Sequence, residues 1–470
     1  MMITSEGERG LPMIPGASDA NRPRSARVWR SLALGALITC AIVGVAFVAR
    51  SFAPPYSKDM RSGYLMAHAI THGLNPYRPL PELGRVFLPG HPIEDLTHPS
   101  PHPIAVGWLS LPLILLTYEH ATIVWLLFEL VCLAVSVVLF LKILGVSASG
   151  WQTLAITFLA IGWWPVVDDL RWGQLDSCLL MMFLGAWLAL RQRRDIAGGL
   201  LLGGLGLLKL AGWPVVLWLV FQRRWKAVWA TGLFWSLLQA LAIALYGWPL
   251  VRDYYLKVGP QVGAIYRVWE GNFSAWTIGQ RLFAESGDRI LSTPLWRSPW
   301  LASVVTIAAP LLIAGLGVWA AQRLRSFDAS FALLMALGIV LNPVAWQHYL
   351  VMAVPALVLL VMRLRELHWP RRTTVVVALL LLAISVPYSR FWLLSLRFAT
   401  GVSSTGKPIV PALPALITMT IGIALGALLW LFVKLEPKHL AVGHPATPAS
   451  LAALSEGSHL SRADAAGFDT

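Results

Sequence analysis

The sequence predicts an all-α protein that crosses a membrane many times. Hydrophobic residues make up 57% of its 470 residues and charged residues only 13%, and the mean hydropathy is +0.66. An ordinary soluble domain is much less apolar. In addition, nearly every apolar run ends at an Arg, Lys or Trp or at a proline turn. This pattern is expected of helices of about 20 residues that span a bilayer.

The basic residues indicate orientation in the membrane rather than a nucleic-acid partner. The net charge is +14, but the charges gather in short clusters between apolar runs, where topology determinants lie. These clusters are RQRR at 191–194, QRRWK at 222–226, RLR at 323–325 and RLRELHWPRR at 363–372. The cysteines at 40, 132 and 178 all fall within apolar runs, so no disulfide framework is predicted.

The chain divides into one membrane domain and two polar ends. Residues 1–27 are polar and are predicted to form a disordered cytoplasmic N-terminus. The apolar run at 31–49 is too long and uninterrupted for a typical cleaved signal peptide, so it is predicted to be a signal anchor. The tail over 439–470 is rich in Ala, Ser, His and Gly and is also predicted to be disordered and cytoplasmic. The membrane domain is therefore expected over 28–438.

Thirteen apolar runs follow one another, and the positive-inside rule decides which of them cross. If all crossed, the clusters at 191–194 and 222–226 would lie outside. The run at 104–117 follows HPSPHP and contains Pro112, and about 14 residues of helix are too short to span. We expect it at the outer interface, which leaves about twelve crossings and puts every basic cluster in the cytoplasm. No convincing internal repeat is present, which disfavours inverted-repeat transporters.

This topology collects the polar segments on the exported face. Two long loops, 50–119 and 247–298, are expected to carry short interfacial helices. The shorter segments are DDLRWGQLD at 168–176, KLAGWP at 209–214, NPVAWQHYL at 342–350, and residues 389–408. The cytoplasmic connections are short and basic, so any chemistry is expected on the extracytoplasmic side.

Asp59 is the first candidate for that chemistry. It lies shortly after the first apolar run and precedes a short amphipathic helix that ends at GLNPY. An aspartate at this place can simply cap the helix. It can also take a proton from an attacking hydroxyl as a general base. The two hypotheses stay open together, because a helix tied to the first crossing would hold the carboxylate rigidly.

Two further segments offer groups for a sugar or a phosphate. In DDLRWGQLD, Gln174 can hydrogen-bond sugar hydroxyls and Arg171 can face a phosphate, while Asp169 is an acceptor or loop candidate. The alternative without a binding role is a hydrophilic turn whose ion pairs contribute little to stability. Lys209 interrupts two short apolar runs at the outer boundary. It either snorkels toward lipid headgroups or supplies a cation at the height of a lipid phosphate.

The segment NPVAWQHYL adds His348 and Gln347 to the candidates for donor binding. A lone interfacial histidine is usually a satisfied structural residue, but at the depth of Lys209 it can hydrogen-bond a phosphate or a hydroxyl. Glu129 is the one acidic residue well inside an apolar run, and we expect it to face the helix bundle or to be protonated.

The outer loops contribute a last group of acceptor or loop candidates, namely Tyr64, His98, His102 and Asn272. Asn272 in GNFSAWTIGQRL can do no more than cap a helix. The pair His68 and His72 stands at i and i+4, which is a weak metal signal without a third ligand. No metal site is therefore predicted.

Taken in order, these motifs resemble glycosyltransferase family 87. The likeness rests on KDMRSGYLMAHAITHGLNPY, HPSPHP, GQLD, AGGLLLGGLGLLKLAGWP, NFSAWTIGQRL and NPVAWQHYL, and it covers about residues 30–435. The family consists of integral membrane enzymes of the GT-C architecture, including mannosyltransferases and arabinofuranosyltransferases. The sequence departs from the family at Asp176, where Asn is more usual, and in its proline motif THPSPHPI. These departures concern the sugar and the acceptor more than the class of reaction.

The resemblance implies a reaction and its partners. The donor would be a polyprenyl-phosphate sugar and the acceptor a glycan or glycolipid, with a hexosyl unit, expected to be mannosyl, transferred on the extracytoplasmic side of the cell membrane. Asp59 matches the family's catalytic base, Lys209 and His348 match its lysine and histidine, and Gly173 and Gln174 match its Gly-Gln turn. No cofactor is expected, and dependence on a divalent metal stays open. One base without a second, nucleophilic carboxylate predicts inversion at the anomeric carbon.

Two other functions compete with this prediction. A lipid or sugar transporter, or a flippase, would favour ionisable groups at mid-membrane and broken helices in paired positions. A structural membrane protein would not need so many polar residues at one depth.

Overall fold

The computed structural model describes residues 24–52, 59–91, 98–209, 211–287 and 289–437. The predicted cytoplasmic tail over 439–470 lies outside these residues, as does the predicted N-terminus over 1–27 apart from its last four residues. Those four belong to the first described helix, which begins at Arg24.

The described chain is almost entirely helical. Its α-helices are α1 Arg24–Arg50, α2 Met60–Thr71, α3 Leu80–Phe87, α4 Ile104–Ser110, α5 Tyr118–Ile143, α6 Gly150–Ala160, α7 Trp164–Trp172, α8 Asp176–Arg191, α9 Asp195–Leu208, α10 Trp213–Phe221, α11 Trp225–Tyr246, α12 Trp248–Asp253, α13 Gly259–Arg267, α14 Ile278–Phe283, α15 Pro299–Arg323, α16 Phe327–Val340, α17 Val354–Glu366, α18 Arg371–Ser385, α19 Tyr388–Leu396, α20 Ala412–Ala415 and α21 Thr420–Leu435. Short 3₁₀ turns occupy Leu111–Leu115, Ala275–Thr277, Gln347–Ala353 and Leu416–Met419, and a π turn occupies Tyr254–Val258.

One small sheet lies among the loops. Its three strands are β1 Leu291–Thr293, β2 Gly401–Val402 and β3 Pro408–Pro411. β3 is central, parallel to β1 and antiparallel to β2, with Leu291 opposite Ile409 and Val402 opposite Pro408. The sheet therefore ties the loop before α15 to the loop between α19 and α20.

Six helical segments in the described residues are long and apolar enough to cross a membrane, and up to eight if each bent pair counts as one span. The six are Ser31–Arg50, Tyr118–Ile143, Trp225–Tyr246, Pro299–Arg323, Gln347–Glu366 and Leu416–Leu435. The predicted all-α membrane architecture is thus confirmed in its class. The twelve crossings stay a prediction, because the runs at 196–208, 211–221 and 327–341 form short helices.

Two of the predicted crossings are sharply bent. α6 and α7 meet at 87°, and so do α18 and α19. Gly162 lies at the first bend, where a β-carbon would come 2.8 Å from the Ala41 nitrogen, and Pro165 starts the next helix. Proline and glycine are the usual causes of such breaks. At the second bend Pro387 precedes α19, and the indole of Trp163 donates a 2.8 Å hydrogen bond to Ser385 Oγ, which joins the two bends.

The run at 104–117, expected at the interface, is α4 followed by a 3₁₀ turn, and it packs against α2. Glycines let the two helices approach closely: a β-carbon on Gly63 would lie 2.6 Å from Ser110 Oγ, and one on Gly107 would lie 2.8 Å from Ile70 Cδ1. The amphipathic helix predicted after Asp59 is therefore α2, and its face of Met60, Tyr64, Leu65 and Ala69 lies in the core.

Most candidate site residues lie at the end of the bundle opposite to the basic clusters. α8 begins at Asp176 and ends at Arg191, about 24 Å further on. α9 then returns from Asp195 to Lys209. Because α8 and α9 each connect a polar segment to a basic cluster, the two kinds of segment are separated by the length of the bundle.

α9 packs against α11 through glycines four residues apart. A β-carbon on Gly199 would collide with the carbonyl oxygen of Ala227, and one on Gly203 would lie 2.8 Å from the oxygen of Thr231. Thr231 Oγ1 in turn donates a 3.0 Å hydrogen bond to the Gly199 oxygen. Small residues with this spacing let membrane helices come into backbone contact.

We predict that Gly199→Val lowers the thermal unfolding midpoint of the detergent-purified protein by several degrees. The added methyl groups have no space against α11, and such overpacking costs about 1–3 kcal/mol. Gly232→Ala on α11 is the matched control, since a β-carbon there meets nothing within 4 Å. Equal midpoints for the two variants would contradict the close α9–α11 contact.

Candidate active site

The side chain of Asp59 faces the turn between α7 and α8. Its carboxylate accepts a hydrogen bond from Gln174 Nε2, and its backbone N–H donates to the Trp172 oxygen at 2.8 Å. Asp59 occupies the N-cap position of α2, but its side chain makes no capping hydrogen bond. The capping hypothesis therefore does not account for the carboxylate.

A narrow pocket lies beside this carboxylate. Its wall combines apolar groups with a few polar ones, as small-molecule sites commonly do. Among the lining residues are Asp59, Ser62, His102, Trp125 and Gln174. Thus two segments about 40 residues apart in the sequence, at 59–63 and at 102, meet the 173–175 turn around one space.

Burial shifts the pKa values of two side chains that line the pocket, Asp59 and His102. Burial raises the pKa of the Asp59 carboxyl, although the charges of His348 and Arg61 act in the opposite direction. Burial, with smaller effects from Lys209 and His98, lowers the pKa of His102 to about 3. At neutral pH His102 is therefore an uncharged imidazole, and Asp59 is a stronger base than an exposed aspartate.

The α7–α8 turn is shaped by Asp169 and Gly173. Asp169 Oδ2 accepts hydrogen bonds from Ser177 Oγ at 2.6 Å and Ser177 N at 3.1 Å, and Oδ1 accepts one from Asp176 N at 3.2 Å. Its carboxylate thus caps the start of α8. Gly173 has φ +65°, a conformation that favours glycine. Asp169, an acceptor candidate from the sequence, is instead the residue that fixes Gln174 in place.

A second cluster of charges lies next to the turn. Lys209 Nζ is 3.0 Å from Asp176 Oδ1 and 3.5 Å from the centre of the Tyr349 ring. His348 lies between two carboxylates, with Nδ1 3.5 Å from Asp168 Oδ2 and Nε2 3.6 Å from Asp176 Oδ2. The sequence positions 168–176, 209 and 348 therefore converge on one place.

The ammonium group of Lys209 stays charged in this cluster. Burial acts to lower the pKa of Lys209, but the nearby Asp176 carboxylate and Tyr349 outweigh it, so the pKa is raised. Only 11% of the Lys209 side chain is exposed. The lysine therefore lies in the protein interior and does not snorkel.

Arg171 stands at the rim of the same region. Its guanidinium is stacked 4.7 Å from the Trp172 ring and 5.7 Å from the Trp164 ring. Nε lies 3.8 Å from Asp168 Oδ1, and 30% of the side chain is exposed. Arg171 can consequently reach a ligand without leaving its aromatic neighbours.

Gln347 and Asn272 use their amides within the protein. Gln347 Nε2 donates to the oxygens of Ile384 and Val386, at 3.0 and 2.7 Å, and Oε1 accepts from Tyr388 N at 2.9 Å. Asn272 is likewise bonded through both side-chain atoms to main-chain groups. Neither amide has an N–H left for a sugar. Both residues instead stabilise the main chain around the site.

Tyr64 and His98 also make internal contacts. The Tyr64 hydroxyl donates to the Leu116 oxygen at 2.9 Å, which fastens α2 to the segment after α4. His98 Nδ1 lies 2.7 Å from the Pro99 oxygen, and Nε2 lies 2.6 Å from the Tyr266 hydroxyl. Because the Pro99 oxygen can only accept, His98 Nδ1 donates to it, and both ring nitrogens are paired within the protein.

Sequence analysis missed several neighbours of these groups. Arg61 is buried within two residues of Asp59 and its charge acts on that carboxyl. Asp168 and Tyr349 contact His348 and Lys209, and Tyr266 contacts His98. The one available signal was position, because Arg61, Asp168 and Tyr349 stand within the motifs that carry the chosen residues.

Among the described residues no group of three His, Cys, Asp or Glu side chains is arranged to hold a metal ion. The HxxxH pair is part of an aromatic cluster. His68 stacks on Phe87 with ring centres 5.0 Å apart, and His72 lies at the same distance from that ring. Glu129, expected to face the bundle, is fully buried within it.

Comparison with known proteins decides the family. Glycosyltransferase family 87 matches residues 101–342, which is more than half of the 470-residue chain. The chain belongs to glycosyltransferase family 87. It is therefore a membrane glycosyltransferase, with a sugar donor and an acceptor. No curated protein and no solved structure matches the chain.

The stretch matched to family 87 includes the α7–α8 turn, Lys209 and Asn272. It ends before His348 and begins after Asp59. The contacts of Asp59 with Gln174 and of His348 with Asp168 and Asp176 thus connect residues outside the matched stretch to residues inside it.

We predict that Asp169→Asn lowers the thermal unfolding midpoint and reduces glycosyl transfer. An amide nitrogen cannot accept the hydrogen bonds from the start of α8, and leaving a buried donor unpaired costs about 1–3 kcal/mol. Differential scanning fluorimetry of the purified protein measures the change. Asp253→Asn is the control, because Asp253 makes its ion pairs with Arg252 and Lys257 at the surface. An Asp169→Asn protein as stable and active as the control would contradict this assignment.

Proposed function

We propose that the protein transfers a hexosyl unit, expected to be mannosyl, from a polyprenyl-phosphate sugar to a glycolipid or glycan acceptor. Asp59 is the general base, and the reaction inverts the anomeric centre. The observation that carries this proposal is the Asp59 carboxylate. It lines a pocket, its pKa is raised by burial, and it is held by Gln174 rather than used as a helix cap.

The charged cluster beside the pocket suits the phosphate of the donor. An ammonium group has three N–H donors; Lys209 uses one on Asp176 and turns another toward Tyr349, which leaves one for a phosphate oxygen. His348 lies within the same cluster, and Arg171 stands at its rim with 30% of its side chain exposed. Preorganised cations of this kind stabilise the charge that develops on a leaving group.

The proposed reaction is a single displacement. Asp59 accepts the proton of an acceptor hydroxyl as that oxygen forms a bond to the anomeric carbon. The bond from the anomeric carbon to the phosphate oxygen breaks, and the polyprenyl phosphate leaves with the bonding electrons. Gln174 keeps one N–H for a sugar hydroxyl, since its amide nitrogen carries two hydrogens and one is bonded to Asp59. Neutral His102, across the pocket, can accept or donate a hydrogen bond to the acceptor.

We place this reaction on the extracytoplasmic side of the cell membrane. Two observations support that choice. The basic clusters, which face the cytoplasm under the positive-inside rule, lie at the far end of α8 and α9 from Asp176 and Lys209. A lipid-linked donor also carries its scissile bond at headgroup depth, where an external site needs it. Membership in family 87 argues against the transporter alternative.

We predict that Asp59→Asn abolishes transfer while insertion and expression stay normal. The amide has nearly the same shape, but it cannot take a proton. Membranes containing the protein are incubated with radiolabelled polyprenyl-phosphate mannose or glucose and a cell-envelope lipid extract, and the labelled product is identified. Asp253→Asn, which removes a surface carboxylate, is expected to keep wild-type activity. Transfer by the Asp59→Asn protein at the wild-type rate would remove the base from Asp59.

The raised pKa of Asp59 predicts an acid limit on activity. The carboxylate must be deprotonated to accept a proton, so kcat/KM falls as the pH drops through its pKa. Because burial raises that pKa, half-loss is expected above the ordinary aspartate value of about 3.9. A profile of kcat/KM from about pH 4 to 8 measures it, and Asp59→Glu is expected to shift the limb. A limb that does not move in Asp59→Glu would assign it to another group.

A further inference from the structure

Three aromatic rings form a cluster beside the pocket, and the proposed chemistry uses none of them. Tyr266, Trp269 and Trp346 lie with ring centres 5.3, 5.6 and 5.7 Å apart and with planes inclined at 70°, 77° and 86°. All three side chains are half-buried. This aromatic trio (Tyr266, Trp269 and Trp346) thus keeps ring surface accessible although it lies within a packed region.

The trio is held by buried polar side chains. Asn272 is fully buried. Its Oδ1 accepts a 2.9 Å hydrogen bond from Ala345 N, and its Nδ2 donates to the main-chain oxygen of Tyr266 at 3.0 Å. One amide therefore ties the segment of Tyr266 to the segment of Trp346. Arg281 adds hydrogen bonds from its guanidinium to the oxygens of Trp269 and Asn272 at 2.6 and 2.9 Å. The rings are consequently fixed before any ligand arrives, which reduces the entropy cost of binding.

The trio is linked to the proposed site through two sequence neighbours. The Tyr266 hydroxyl bonds to His98, and the same proline-rich segment continues to His102, which lines the pocket. Trp346 stands two residues before His348, which contacts Asp168 and Asp176. Burial and, to a smaller extent, the charge of Asp59 raise the pKa of the Tyr266 hydroxyl, which is a further sign that the trio lies near that carboxylate.

We propose that the aromatic trio is a binding subsite for a sugar ring of the acceptor. One face of a pyranose carries C–H groups, and these pack on the negative face of an aromatic ring. The hydroxyls at its edge need hydrogen-bond partners, and the oxygen of the Tyr266 hydroxyl, at one border of the trio, can still accept one. This subsite rests on the proposed function, because it assigns the acceptor of that same reaction.

Polar neighbours favour a sugar over the hydrocarbon chain of the donor. The Arg289 guanidinium is exposed and lies 5.9 Å from the Trp269 ring and 5.7 Å from the Trp392 ring. A guanidinium held there donates hydrogen bonds to hydroxyl groups, whereas a polyprenyl chain would only desolvate it. An acceptor of saccharide character therefore fits the trio better than an isoprenoid does.

The first test measures binding without catalysis. Methyl α-D-mannopyranoside and methyl α-D-glucopyranoside are titrated against the full-length protein in lipid nanodiscs and followed by saturation-transfer difference NMR. We expect saturation on the ring C–H protons with the wild type, and an affinity about ten-fold lower with Trp269→Ala. Trp269→Phe, which keeps an aromatic face, is expected to retain most of the affinity. Trp296→Ala is the matched control, because Trp296 lies in the same long loop and is 69% exposed.

The second test separates the acceptor from the donor in the transfer assay. Trp269→Ala is expected to raise KM for the acceptor about ten-fold and to leave KM for the polyprenyl-phosphate sugar unchanged. A raised donor KM with an unchanged acceptor KM would assign the trio to the donor and overturn the proposal. So would the absence of glycoside binding to the wild type, or an equal loss in Trp296→Ala.

The two tests keep this subsite distinct from the proposed reaction. Glycoside binding that depends on Trp269, in a protein without transfer activity, would contradict the proposed reaction and support the sugar subsite. Transfer that depends on Asp59 but not on Trp269 would do the reverse. Trp269→Phe guards against a folding defect, since its retained binding shows that the loop is intact.

Discussion

The ion pair between Lys209 and Asp176 is the contact on which the site depends. It joins the end of α9 to the start of α8, where both charges are removed from water. A buried charge without a partner is strongly destabilising, so each group of the pair requires the other. His348 extends the pair toward Asp168, and Gln174 connects the same turn to Asp59. Four segments that are distant in sequence are thereby held at one end of the bundle.

Some of this arrangement could be predicted from the sequence. The positive-inside rule and the short basic loops predict that Asp59, the 168–176 turn, Lys209 and His348 share one side, and the structure brings all of them into one neighbourhood. The long helices α5, α11 and α15 also follow their apolar runs closely. These features depend on local composition, which a single sequence contains.

Other features could not be predicted, because they depend on partners far along the chain. Gln347 and Asn272 carry the same amide as Gln174, but only the structure shows that their amides are consumed by main-chain groups. Asp169 was one of three neighbouring acids, and its role as a cap depends on the fold of the turn after it. The 87° bends were hidden because a broken apolar run has the same composition as a straight one.

The two bends have a mechanical consequence. Breaking a helix leaves carbonyl oxygens without their usual partners, and at the α18–α19 bend Gln347 supplies the missing donors. Trp163, at the other bend, is fastened to Ser385. Gln347 is the direct sequence neighbour of His348. The two bends and the segment of His348 are therefore connected by hydrogen bonds. A movement that straightens either bend must break some of these hydrogen bonds. It would also move the His348 imidazole away from Asp168 and Asp176.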